Sequence, residues 1–138
     1  MSNKSNYTIL FVDDEPWLSD ALRFSLEGRG YNCISKTNMT DAWAVIERQS
    51  IDVIVTDIMM PAGTGFPGVD ASSAGFHFVR KIRQQWPRVA IICLSVIADA
   101  EKIQELKRQN ILYLRKGETP LETAIALIEA KATGRMSF

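Results

Sequence analysis

From residue 7 to about residue 131 the chain alternates between short apolar runs and longer stretches whose apolar residues recur every three or four positions. A short run rich in β-branched residues reads as a strand, and recurrence at i, i+3, i+4 and i+7 reads as an amphipathic helix. YTILFV (7–12) is the first strand, and Pro16 then opens a helix where proline's missing N–H costs nothing. Leu18, Ala21, Leu22 and Leu26 share one face of that helix, and Gly28 and Gly30 stop it. YNCISK (31–36) is a more polar strand. Asn38 or Thr40 caps the next helix, which carries Ala42, Val45, Ile46 and Gln49 on one face. IDVIVT (51–56) is the most apolar strand. After a run of small residues, a helix is expected from about Gly75 to Trp86, stopped by Pro87. VAIICLS (89–95) and ILYLR (111–115) are strands, each followed by a helix, at 98–109 and 119–131.

Repeated strand–helix units argue for an α/β fold with a parallel sheet covered on both faces. The first, third and fourth strands are nearly all apolar, as central parallel strands are, and YNCISK suits an edge. Right-handed crossovers then permit the strand order 2-1-3-4-5, a flavodoxin-like (βα)5 three-layer sandwich around a parallel five-stranded sheet. Residues 1–138 read as a single domain with its core at about 7–131, long enough to bury roughly two-thirds of the unfolded surface. Lys plus Arg total 16 and Asp plus Glu total 16, a balance that gives no support to direct nucleic-acid binding. No apolar run approaches the ~20 residues of a membrane span. The amino terminus, MSNKSNYTIL, lacks the apolar core of a signal peptide, so the expected location is cytoplasmic. Cys33 and Cys93 sit in strands three places apart, roughly 14 Å at strand spacing, too far for a disulfide. His77 is the sole histidine and cannot by itself build a zinc site.

In an open parallel sheet, function collects at the carboxyl ends of the strands. The first strand ends in FVDDE, giving Asp13 and Asp14; the third ends in VIVTD, giving Asp57. The fourth ends in Ser95 and the fifth in Lys116. Taken singly, polar residues after strands are ordinary, and acids at a helix start favour its dipole. Three carboxylates gathered at one edge repel one another and need a cation. Oxygen ligands without histidine or thiolate suit a hard ion such as Mg²⁺, which also takes water and phosphate oxygens. A serine and a lysine facing such an ion make a place for a phosphoryl group, and an aspartate can accept that group as an acyl phosphate.

The set FVDDE, VIVTDIMMP, IICLS and LYLRKG resembles the receiver domain of two-component response regulators, over residues 7 to about 131. The resemblance implies that Asp57 is the phosphorylation site, supplied by a sensor histidine kinase or a histidine phosphotransfer protein. It implies Mg²⁺ held by Asp13, Asp14 and Asp57 together with the backbone carbonyl of Met59. Ser95 would bond the phosphoryl oxygens, Lys116 would pair with them, and Tyr113 looks like the aromatic switch residue that works with Ser95. The function implied is phosphorelay signalling, a switch of partners rather than turnover of a separate substrate, with the downstream target or output domain left open. A dimer through the fourth helix, fifth strand and fifth helix is within what the resemblance allows.

The sequence departs from the family pattern twice. Gly117 stands where family members usually carry proline after the lysine. Gly65 meets the family's glycine spacing after Pro61, yet helical periodicity begins only at Gly75, which implies an inserted loop at about 62–74, rich in Gly, Ala and Ser. Met59 and Ile97 would flank the path of a hydrolytic water in a receiver, and neither side chain orients water, so a long-lived acyl phosphate is expected. A competing reading is an aspartyl-phosphate phosphatase of the haloacid-dehalogenase type, but that class carries DxD after the first strand, where this chain has DDE. A flavin- or nucleotide-binding protein needs a glycine- or hydroxyl-rich loop there, and FVDDEPW puts acids in its place.

Overall fold

The apolar runs form five parallel strands in a computed structural model of the chain, which describes residues 6–15, 17–58, 71–96 and 99–134, with the backbone alone for 71–73. The elements are β1 (Thr8–Val12), α1 (Trp17–Gly28), β2 (Asn32–Lys36), α2 (Met39–Arg48), β3 (Val53–Thr56), α3 (Ala71–Gln85), β4 (Ala90–Ser95), α4 (Ala100–Arg108), β5 (Leu112–Arg115) and α5 (Leu121–Thr133). The sheet runs β2-β1-β3-β4-β5, the order expected from the sequence. The polar strand β2 lies at one edge.

Alternation along the central strands divides the core in two. Leu10, Val12, Ile54, Ile91 and Cys93 face α2, α3 and α4, where they pack with Met39, Ile46, Phe78, Val79, Ile82 and Leu106. Ile9, Phe11, Val53, Val55, Ile92 and Leu94 face the other way, against Leu22 and Leu26 of α1 and Ala124, Ile125 and Ile128 of α5. A parallel strand buried on both faces has no polar side, which is why β1 and β3 read as unbroken apolar runs.

Local chemistry sets the helix ends. Asn38, rather than Thr40, caps α2: its side-chain oxygen accepts from the Asp41 N–H at 2.8 Å. Gln49 is the exposed C-cap residue and not part of the apolar face, and Met39 joins that face instead. Helix α3 begins at Ala71, four residues before the expected Gly75, because ASSA has small side chains that carry no apolar period although they can be helical. The expected inserted loop therefore loses residues 71–74 to the helix, and 62–70 lie outside the described residues. Asp99 caps α4 through the Glu101 and Lys102 N–H groups. Cys33 and Cys93 are free thiols. Among the described residues no helix is long and apolar enough to cross a membrane.

Candidate functional site

Because all five strands are parallel, their carboxyl ends share one edge of the sheet. The hydrogen-bond ladder continues one residue past three of them. The Asp13 N–H donates to the Lys36 carbonyl at 3.1 Å, the Asp57 N–H to the Val12 carbonyl at 3.0 Å, and the Lys116 N–H to the Ser95 carbonyl at 2.9 Å. Each functional residue thus sits just beyond its strand with its backbone still held by the neighbouring one. That is how an apolar strand ends in a charge at a fixed place.

The Lys116 ammonium lies 2.7 Å from Asp13 Oδ2 and 2.7 Å from Asp57 Oδ2. All three side chains are buried, below a tenth exposed. The second oxygen of Asp13, Oδ1, accepts the Glu15 N–H at 3.0 Å, which fixes the plane of the carboxylate. Burial raises the Asp13 carboxyl above its usual range; Lys116 and the Glu15 N–H pull it back only in part, and the Asp57 charge adds to the rise. For Lys116 burial favours the neutral amine, but the two carboxylates outweigh it and hold the ammonium above its ordinary value. The Thr56 hydroxyl donates to the Asp57 carbonyl at 3.0 Å.

Asp14 is exposed, and Asp13, Asp14 and Asp57 each offer an oxygen within 4.8 Å of the others. An all-oxygen set with one solvent-facing member fits a hard divalent cation that keeps several waters. Met59, whose carbonyl was expected to complete this set, lies outside the described residues, as does Ile97. Ser95 is fully buried at the end of β4. Its carbonyl accepts both the Lys116 N–H and the Tyr113 hydroxyl, the latter at 3.3 Å. Tyr113 is half-buried against the core cluster of α2, α3 and α4, and burial raises its hydroxyl pKa. Gly117 adopts φ +83°, a conformation that a side chain disfavours, and the chain turns there directly after Lys116. Sequence spacing placed the aspartates, Ser95 and Lys116 at one edge, and the structure brings Asp13, Asp57 and Lys116 into contact. It gave no sign of the Glu15 N–H, a backbone donor, or of the double role of the Ser95 carbonyl.

Comparison with known proteins gives the same arrangement a family. The model of the response regulator receiver domain matches residues 9–126. Among curated relatives, response regulator GtcR of Aneurinibacillus migulanus is 30% identical over 131 residues, covering 95% of this chain and 50% of the relative. The phosphate regulon transcriptional regulatory protein PhoB of Pseudomonas aeruginosa is 30% identical over 123 residues, covering 87% and 49%. The chain thus spans about half the length of these two relatives. Among solved structures, the chemotaxis response regulator CheY4 of Vibrio cholerae superposes with a TM-score of 0.71 at 26% identity, covering 91% of this chain and 98% of that one. A receiver domain from Methanospirillum hungatei shares the fold at a TM-score of 0.76 and 20% identity, covering 93% and 94%. The phosphatase alternative finds no support: the family model that matches is the receiver domain, and β1 is followed by DDE rather than DxD. With a family match that spans most of its length and a sheet in the matching order, the chain belongs to the response regulator receiver domains of two-component systems.

Proposed function

We propose that Asp57 is the phosphoacceptor, that Asp13 and Asp14 hold Mg²⁺ beside it, and that Ser95 and Lys116 receive the phosphoryl oxygens. The observation that carries this reading is the ammonium shared at 2.7 Å between Asp13 and Asp57, which marks a place already arranged around concentrated negative charge. In the transfer an Asp57 carboxylate oxygen attacks phosphorus, the new P–O bond forms as the P–N bond to a phosphohistidine breaks, and the imidazole leaves with the electron pair. A divalent cation bound there offsets charge on the carboxylates and on the incoming phosphoryl group. Lys116 is within reach to follow that charge, because its ammonium already bonds the acceptor.

The donor is a sensor histidine kinase or a histidine phosphotransfer protein, and the chain acts as a switch in the cytoplasm rather than on a substrate of its own. Its output goes to a partner protein or output domain and not to nucleic acid directly, with dimerisation through α4, β5 and α5 as one form the switch can take. Residues 1–138 act as one receiver unit.

Incubation with a small phosphodonor and Mg²⁺ should add one phosphoryl group by intact-mass measurement. The addition should vanish with chelator and in Asp57→Asn. A label that persists in Asp57→Asn overturns the assignment.

A further inference from the structure

Helix α3 meets the sheet through Phe78, Val79 and Ile82, all fully buried. Gly75 stands on the same stripe, three, four and seven residues earlier, and is also buried. A glycine inside a helix weakens it relative to alanine. Its φ is not positive, so conformational freedom is not the reason for glycine here. Space is the reason. A β-carbon at this position would fall far inside contact distance of the carbonyl oxygen, Cα and carbonyl carbon of Ile58. Those are backbone atoms, which cannot swing aside as a side-chain end can. The Ile58 side chain is itself wholly buried in the cluster that holds Phe78, Val79 and Ile82. On its other side the chain is pinned by the bond from the Asp57 N–H to Val12.

We infer that Gly75 is a positioning residue for the acidic site. By letting α3 rest directly on the backbone of Ile58, it sets where the chain stands immediately after Asp57. It thereby sets the spacing of the Asp57 carboxylate from Asp13 and Asp14. Mg²⁺ demands near-ideal octahedral geometry, so a small displacement of one carboxylate lowers affinity even in a folded protein. Spacing in the sequence points to Gly65 as the family's glycine after Pro61; the close approach belongs to Gly75. The inference rests on the proposed metal role of the three aspartates.

Mg²⁺ alone is titrated into the unsubstituted chain and into Gly75→Ala, and binding is followed by calorimetry and amide chemical shifts. Weakening of about tenfold or more is expected in the variant, the range seen when support for a metal ligand is disturbed. Leu26→Ala, a cavity on the opposite face of the sheet, controls for stability: it should lower the unfolding temperature and leave the Mg²⁺ midpoint where it was. If Gly75→Ala unfolds, the titration is repeated in trimethylamine N-oxide, which favours burial. In the unsubstituted protein the Gly75 amide should move with the same midpoint as Asp14. Equal affinities for Gly75→Ala and the unsubstituted chain overturn the inference, as does a stationary Gly75 amide or an equal loss in Leu26→Ala. Absence of Mg²⁺ binding by the unsubstituted chain would instead remove the metal reading on which the inference stands.

Discussion

Lys116 occupies the centre of the site, paired with the buried carboxylates of both Asp13 and Asp57. Removing one partner of a buried ionic group leaves the others uncompensated, which typically costs about 3–5 kcal/mol. Lys116→Met should therefore destabilise the metal-free protein by about that amount in urea unfolding, and saturating Mg²⁺ should recover part of the loss. Full stability of Lys116→Met in chelator would show that the contact is not a stabilising one. The pH dependence has a definite sign. Folding raises Asp13 above 3.8, so between that value and its folded pKa the folded state binds more protons than the unfolded state. Stability contributed at Asp13 therefore falls as pH rises through that window, and the charged carboxylate is a standing cost above it. Lys116 works the other way: folding raises it above 10.5, so its contribution is complete below 10.5 and fades only as pH rises through the folded value. In chelator, Asp13→Asn should gain stability relative to the unsubstituted protein as pH rises from about 3.8 to 7. Saturating Mg²⁺ should reverse the order, since a ligand at a hundred times its Kd stabilises the folded state by about 2.7 kcal/mol and the variant would lack one of the proposed metal ligands. A pH-independent difference between the two would contradict this account.

Helix α4 is held unequally at its two ends. Leu106 is its one buried side chain. Toward its amino end and middle it is linked by Lys102 over the Phe76 ring at 5.5 Å and by an exposed Arg80–Glu105 pair at 4.0 Å, contacts of small worth in water. Its carboxyl end is clamped. The Arg83 guanidinium donates to the carbonyls of Gln109 at 3.0 Å and Asn110 at 3.3 Å, and also to those of Pro87 and Val89 at 3.1 and 2.6 Å. Asn110 takes φ +60°, and the Ile111 N–H closes back on the Leu106 carbonyl. Arg83→Met should cost about 1.5–3 kcal/mol, the range for hydrogen bonds to a charged group, and should speed amide exchange at 109–112 ahead of β1 and β3. Arg83→Lys should not restore protection, because an ammonium lacks the planar fork; rescue by lysine would show that charge alone matters. The elements that sequence reading placed well are those with a strong apolar period: β1, β3 and β4 as unbroken runs, α1 and α2 as stripes. It started α3 late because the small residues of ASSA carry no apolar period, and it missed the Arg83 clamp because a long polar side chain on a helix looks solvated until the partner loops are in place. The strand-end aspartates, Ser95 and Lys116 were legible since the sheet topology alone carries them to one edge.

Across the whole molecule, the sheet is a plate packed on both faces, and the acidic site lies at one edge of it. A phosphoryl group on Asp57 would bring close to two negative charges to a place where Lys116 already serves two carboxylates. Any rearrangement there acts on Ser95, whose carbonyl is shared by the Lys116 N–H and the Tyr113 hydroxyl. One peptide group thus ties the site to the start of the β5–α5 turn and to an aromatic ring on β5. Tyr113 is half-buried and packed on the side of the sheet that carries α4, whose amino-terminal half has the weaker tethers. We therefore propose an output through α4, β5 and α5, provided the two arrangements differ by only a few kcal/mol. A phosphoryl group shifts that balance only by its differential interaction with the two states, so some output without phosphate is expected. Beryllofluoride with Mg²⁺, which mimics the acyl phosphate on Asp57, is the direct probe. Amide shifts should change at the site and continue through Ser95 and residues 99–116. Tyr113→Ala should leave the changes around Asp57 intact while shrinking those in α4. Tyr113→Phe, which keeps the ring and removes the hydroxyl that donates to the Ser95 carbonyl, should cost about 1 kcal/mol of stability and give an intermediate response. If the perturbations stay around Asp57 in the unsubstituted protein and never reach 99–116, the Ser95–Tyr113 link does not carry the signal, and this face is not the output.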